Sequence, residues 1–127
     1  MIKGLMIGLA LIAAMPPTEY PPTMFVGEGS KRTYMGEYNC TAYEPTGNAC
    51  KDGVYPREGV TVACNDPSLW HKVIEISGTG TEWDGLYYVH DTGSMAVMGT
   101  NTVDIFIESH DECIEFGRRS ADIYIVE

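Results

Sequence analysis

The stretch Tyr88-Val89-His90-Asp91-Thr92-Gly93-Ser94 carries strand-type residues up to an aspartate and then drops at once into Thr-Gly-Ser. A carboxylate delivered by a strand into a turn is fixed in direction yet open to a ligand, which suits general acid or base work. A second aspartate, Asp104, lies in the run Val103-Asp104-Ile105-Phe106, and a further acid, Asp66, lies in Cys64-Asn65-Asp66-Pro67. Carboxylates crowded onto one face raise one another's pKa, so that one of them stays protonated near neutral pH. Such a group can protonate the leaving oxygen of a glycosidic bond while a charged neighbour stabilises the oxocarbenium-like state that develops.

The letters Asp-Thr-Gly-Ser also suit peptide hydrolysis, in which two such loops share a proton and activate water. A single short chain would do this only as a symmetric dimer. The segment after Asp91 reads as a capped helix and two strands, too little for a flap, a second apolar loop and a dimer interface. A plainer alternative is a turn aspartate bonded to its own backbone ahead of Gly93. Neither metal nor other cofactor is expected: there is no Cys-x-x-Cys, and His71, His90 and His110 are not at ligand spacing.

Other polar and aromatic residues have more ordinary readings. Glu82 and Asp84 fall in the turn Thr79-Gly80-Thr81-Glu82-Trp83-Asp84-Gly85 and read as loop residues. Trp83 could stack on a sugar face or close one end of the fold, and Trp70 carries the same two readings. Alternation along a strand sends one of Tyr87 and Tyr88 inward and the other outward. His90 is read as a solvent-facing strand residue. Arg118 and Arg119 are expected to pair with surface acids.

The elements that must position these residues are short. β-type runs occur at 38–43, 59–64, 72–76, 86–90, 103–107 and 121–126, separated by turn residues, which predicts a six-stranded all-β barrel or sandwich. One helix is predicted from Ser109-His110-Asp111-Glu112-Cys113-Ile114-Glu115-Phe116-Gly117. Ser109 and Glu112 have capping-box spacing, Gly117 suits the left-handed exit, and Ile114 and Phe116 would pack on the barrel. Residues 18–35, rich in Pro, Gly and Ser, read as an extended arm, so the domain would span 36–127.

Lys3, the apolar run Leu5 to Met15 and Pro16-Pro17 have the order of a secretory signal, cleaved or kept as an anchor, over 1–17. Beyond that segment no membrane span is expected. Four cysteines, Cys40, Cys50, Cys64 and Cys113, then suggest two disulfides in an exported domain. Three pairings exist; Cys40 with Cys50 and Cys64 with Cys113 is the favoured one. The 127 residues fit one domain, and 18 acidic against 8 basic residues would repel phosphate backbones and anionic lipid, which argues against nucleic acid and membrane surfaces as partners. A monomer is expected.

The ordered series Thr41-Ala42-Tyr43, Gly59 to Pro67, His90 to Ser94, Val103 to Phe106, Glu108 to His110, Phe116 to Arg119 and Asp122 to Ile125 resembles the 3D domain. That family is named for three aspartates and is similar to the C-terminal part of the MltA lytic transglycosylases. The resemblance implies an all-β fold, a six-stranded double-psi β-barrel, to which the capped segment adds one short helix, and the N-terminal signal implies a place in the cell envelope or outside the cell. The resemblance also implies cleavage of peptidoglycan glycan strands, by a lytic transglycosylase reaction that leaves a 1,6-anhydro product. The family's second acid falls on Asp91 and its third on Asp104. The first falls on Asn65 or Asp66, and the Pro-Leu-Gly-Thr that usually follows is replaced by Ser68-Leu69-Trp70-His71. The catalytic candidates are therefore Asp91, as acid and then base, with Asp104 as its charge partner and Asp66 third. Asn65, Thr92, Gly93, Tyr43 and Trp83 are the substrate-binding candidates. The alternative is a non-catalytic glycan-binding barrel similar to the first domain of expansins, to which an asparagine in place of an acid would be suited.

Overall fold

Runs rich in Val, Ile, Tyr and Thr between glycine and proline turns fold as strands, because branched and aromatic side chains pack well on a pleated surface. In the computed structural model, which describes residues 30–94 and 98–127, they form β1 (Arg32–Tyr43), β2 (Thr61–Cys64), β3 (Val73–Ser77), β4 (Gly85–Asp91), β5 (Thr102–Phe106) and β6 (Arg119–Val126), with a helix α1 (His110–Phe116) between the last two. The expected signal segment, and the arm up to residue 29, lie outside the described residues. Among the described residues no helix is long and apolar enough to cross a membrane.

The strands close into a barrel in the order β1-β5-β2-β4-β3-β6. The pairs β1–β5 and β2–β4 are parallel, and the other four are antiparallel. A closed barrel leaves no free sheet edge, and its interior is filled by every second residue of each strand. Val62, Val89, Val103, Ile105, Ile74 and Ile123 are fully enclosed there. The all-β, six-stranded barrel with one short helix is thus the observed architecture.

β1 begins at Arg32, inside the stretch the sequence assigns to the arm. It is long enough to pair with β6 from Arg32 to Cys40 and with β5 from Asn39 to Tyr43. A bulge between Tyr34 and Gly36 bends it, and Gly36 takes φ 121°, which a side chain would strain.

Helix α1 starts and stops on the residues its sequence provides. Ser109 accepts from Glu112 N at 3.2 Å, and Gly117, at φ 62°, donates to Cys113 O at 3.2 Å. Phe116 is buried in the core cluster, but Ile114 is 69% exposed, contrary to expectation. The helix places Cys113 and Phe116, three apart, on the face toward the barrel, and Ile114 is turned away from it.

The two predicted disulfides do not form: all four cysteines are free, and no two reach bonding distance. Cys40 and Cys64 both stand opposite Val103, one on each flanking strand, so their Cα atoms are about two interstrand spacings, roughly 9–10 Å, apart. That exceeds the span a disulfide bridges. Cys113 instead donates to Ile107 O at 3.3 Å, and burial pushes the Cys40 and Cys50 thiols up to about 12, so both remain protonated.

Candidate active site

One row of register partners runs across four strands: Thr41 on β1 faces Asp104 on β5, Asp104 faces Ala63 on β2, and Ala63 faces Asp91 on β4. Residues opposite one another in a sheet share a face. The adjacent row, Cys40-Val103-Cys64, is fully buried, and the row holding the acids faces away from the interior. Alanine between the two aspartates leaves open the space above it.

Asp91 reaches this row through an irregularity. Val62 pairs with Val89 and Ala63 pairs with Asp91, so one extra residue, His90, is accommodated in β4. Bulges of this kind re-aim side chains beside functional sites. His90 is 4% exposed, not solvent-facing as the sequence suggests, and it is held at both ring nitrogens. Its Nε2 lies 2.8 Å from Thr61 Oγ1, and its Nδ1 lies 3.1 Å from Asp52 Oδ2. This fastens the loop between β1 and β2 onto the barrel.

The fastened loop in turn holds Asp91. Lys51 N donates to Asp91 Oδ1 at 3.2 Å, Thr92 N donates to the same oxygen at 2.9 Å, and Tyr43 OH donates to Oδ2 at 2.9 Å. The Tyr43 ring packs edge-on against Phe106, with centroids 5.4 Å apart, and burial followed by the nearby Asp91 charge drives its own pKa far upward. Its hydroxyl therefore remains a donor. Three donors of this kind fix the direction of a carboxylate.

Asp104 is placed differently. Thr41 Oγ1 donates to its Oδ1 at 2.8 Å. Its pKa is raised to about 6, chiefly by burial and further by the charge of Asp91, with the Thr41 hydrogen bond and Arg118 pulling the other way. One carboxylate heavily solvated by donors beside one lifted by burial is the arrangement that separates a stabilising charge from a proton carrier.

Both acids line a cleft of about 260 Å³, together with Tyr43, Ala63, Thr92 and Gly93. The β1–β2 loop supplies its other wall through Thr46, Asn48, Ala49 and Pro56. A Cβ at Gly93 would stand 1.8 Å from the Met98 sulfur, so any larger residue there would have to displace the Met98 side chain. Its N–H donates to Asn65 Oδ1 at 3.0 Å.

Asp66 is not brought together with the other two. It lines a neighbouring cleft, where its Oδ2 accepts from Tyr38 OH at 2.5 Å and its Oδ1 accepts from Ser68 N at 2.9 Å and Ser68 Oγ at 2.7 Å. Burial raises its pKa, but the Tyr38 and Ser68 hydrogen bonds outweigh that and hold it below the usual carboxylate value. It is a turn-forming carboxylate. Asn65 lines the same cleft.

Trp83 is also absent from the acid cleft. It is 5% exposed within the core cluster, and its backbone carbonyl accepts from the buried Tyr87 hydroxyl, so of its two readings the structural one holds. Asp84 ties the same turn by accepting from Gly78 N at 3.0 Å and Thr79 N at 3.3 Å. Arg119 serves the backbone, donating to Phe116 O at 2.8 Å and Thr79 O at 3.3 Å. Thr41, Lys51 and Asp52 were not singled out for the site from the sequence. Thr41 had a signal, in standing two residues before Tyr43 on the same strand. The two loop residues had none, since their roles depend on how a seventeen-residue connection folds back, from Glu44 to Val60.

No curated protein matches this chain. The sequence pattern of the 3D domain matches residues 60–127, more than half of the chain, and covers β2 to β6 with Asp91 and Asp104. The barrel, the two coupled acids and this match lead to one assignment: the chain belongs to the 3D domain family.

Proposed function

We propose that the chain is an exported peptidoglycan lytic transglycosylase that cuts the MurNAc–GlcNAc glycosidic bond and leaves a 1,6-anhydromuramyl end. The 3D domain family is associated with lytic transglycosylase-like cell-wall domains. The observation that carries the reading is Asp104, raised to about 6 in an open cleft beside Asp91.

The proton role passes from Asp91 to Asp104 in this reading. Asp91 already accepts from three donors, whereas Asp104 accepts from Thr41 alone and is raised to about 6, chiefly by burial. Asp104 gives its proton to the glycosidic oxygen as the bond to the muramyl anomeric carbon breaks, and the Asp91 charge stabilises the cationic carbon. The Asp104 carboxylate then takes the proton of the muramyl C6 hydroxyl, whose oxygen closes on the anomeric carbon. No water is consumed, and Asp104 ends protonated as it began.

Digestion of purified sacculi followed by mass spectrometry tests this. Anhydromuramyl ends should accumulate with the parent chain and be lost in Asp104→Asn and in Asp91→Asn. Reducing muramyl ends in their place would mean hydrolysis. No new ends, with retained binding to sacculi, would favour the second reading, a non-catalytic glycan-binding barrel. That alternative is supported by the location of Asp66, which leaves two acids in the cleft where the family name counts three.

A further inference from the structure

Beside the acid cleft lies a wider depression of about 440 Å³, lined by Lys51, Asn65, Asp66, Trp70, Thr92 and Gly93. Thr92 and Gly93 line both spaces, so the two adjoin at this loop. Two features mark the second space as more than a surface irregularity.

The first is a held aromatic ring. Trp70 is half-buried, packed at its base on the core, and stacked on His71 with centroids 4.8 Å apart and 25° between planes. The stack continues from His71 to Tyr88 at 6.1 Å and from Tyr88 to the buried His90 at 5.1 Å. His71 has φ 61°, the one positive value at a non-glycine residue among those described. Backbone strain of this kind persists where surrounding structure enforces it. Here it accompanies a tryptophan whose ring is fixed before any ligand arrives.

The second is an orphaned donor. Asn65 accepts from Gly93 N through Oδ1, while its Nδ2 is buried with no hydrogen-bond partner, the one such side-chain atom among the described residues. Buried donors are rarely left unpaired, and one beside a cleft calls for an acceptor delivered from that cleft. A fixed aromatic face next to an amide donor matches an N-acetylated sugar, whose ring carbons stack on the indole and whose acetyl carbonyl accepts from Nδ2. A de-N-acetylated sugar would present an ammonium group and leave Nδ2 unpaired.

We propose that this depression is a second subsite, holding the N-acetylhexosamine ring adjacent to the cleaved bond, with Trp70 as its stacking face and Asn65 as its acetyl reader. The assignment rests on the glycan reading of the acid cleft. It assigns a role to Trp70-His71, which stand where the family usually carries a different sequence.

The test uses the full chain carrying Asp104→Asn, titrated with an N-acetylglucosamine tetramer and with its de-N-acetylated counterpart. Trp83 lies in the core, so a change in tryptophan emission on binding reports Trp70. The acetylated tetramer should perturb the emission and bind about 10-fold more tightly than the deacetylated one. Trp70→Phe should abolish the emission change and weaken binding measured by calorimetry, and Asn65→Ala should erase the acetyl preference. Equal affinity for the two tetramers, or an unaltered emission change in Trp70→Phe, would overturn the subsite. The comparison of tetramers in the parent background decides the matter should Asn65→Ala fail to fold. Acetyl preference with no anhydro ends from sacculi would sink the cleavage reading and leave the subsite standing; anhydro ends with no acetyl preference would do the reverse.

Discussion

Asp104 feels the charge of Asp91 across a single alanine, because Ala63 on β2 is the register partner of both. Two interstrand spacings separate their backbones by roughly 9–10 Å, and the side chains lean over a methyl group small enough to leave the gap open. The pair is coupled through the sheet itself, so the pH behaviour of one acid is tied to the presence of the other.

On the proposed mechanism, activity on sacculi should fall as pH rises through about 6, where Asp104 loses its proton. Asp91→Asn removes a negative neighbour and should move the titration of Asp104 to lower pH. Following the Asp104 side-chain carbon by NMR across pH checks this directly, and an unmoved midpoint would show that the two acids do not communicate.

Asp104 also makes a stability prediction. Its folded pKa lies above the ordinary value of 3.8, so between about 4 and 6 the folded chain binds more protons than the unfolded chain. Stability falls as pH rises through that window, and the cost remains at neutral pH. Asp104→Asn keeps an acceptor for Thr41 and removes the buried charge. Its Tm at pH 7 should exceed the parent's by a few degrees, with the gap closing below about pH 4.

Tyr43→Phe should keep the fold, since the ring still packs on Phe106, and should lose one hydrogen bond to Asp91. A hydrogen bond to a charged group contributes about 1.5–3 kcal/mol, so cleavage should slow by roughly 10-fold or more. Initial rates on sacculi, with melting curves in parallel, measure it.

Asp66→Ala removes the acceptor for Tyr38 and for two donors of Ser68 and should lower stability by about 1–3 kcal/mol at neutral pH. Because this carboxyl is held below its usual pKa, its contribution is present above about pH 4 and is lost as pH falls through the depressed value. Urea unfolding at pH 7 and at pH 3 should show a large gap between variant and parent at the first and a small one at the second.

The four thiols should react individually. Denatured protein should titrate with four equivalents of a thiol reagent without prior reduction, and Tm should be the same with and without reductant.

The fold was legible because its signals are local. Runs of branched and aromatic residues mark five of the six strands to within about two residues, whereas β1 begins six residues ahead of its expected start, and Ser109, Glu112 and Gly117 mark the helix ends. Asp91 and Asp104 were legible as a strand end and a strand middle. Other features depend on register, which a single sequence does not display. Simple alternation put His90 in solvent, whereas the extra residue in β4 turns it under the loop. Cys40 with Cys50 and Cys64 with Cys113 were the expected pairs, yet all four thiols are free, because spacing along the chain does not display how the strands and loops set them apart. Asp66 and Asn65 were interchangeable by counting; the Tyr38 hydroxyl and the Gly93 amide tell them apart.

The irregularity at His90 has a consequence for how such barrels evolve or can be rewired. Removing that one residue would place Asp91 directly after Val89 and restore even pairing between β2 and β4, with the aspartate still opposite Ala63. What a single codon deletion there would take away is the imidazole between Thr61 and Asp52, and with it the tie that holds one wall of the cleft in place while every strand survives.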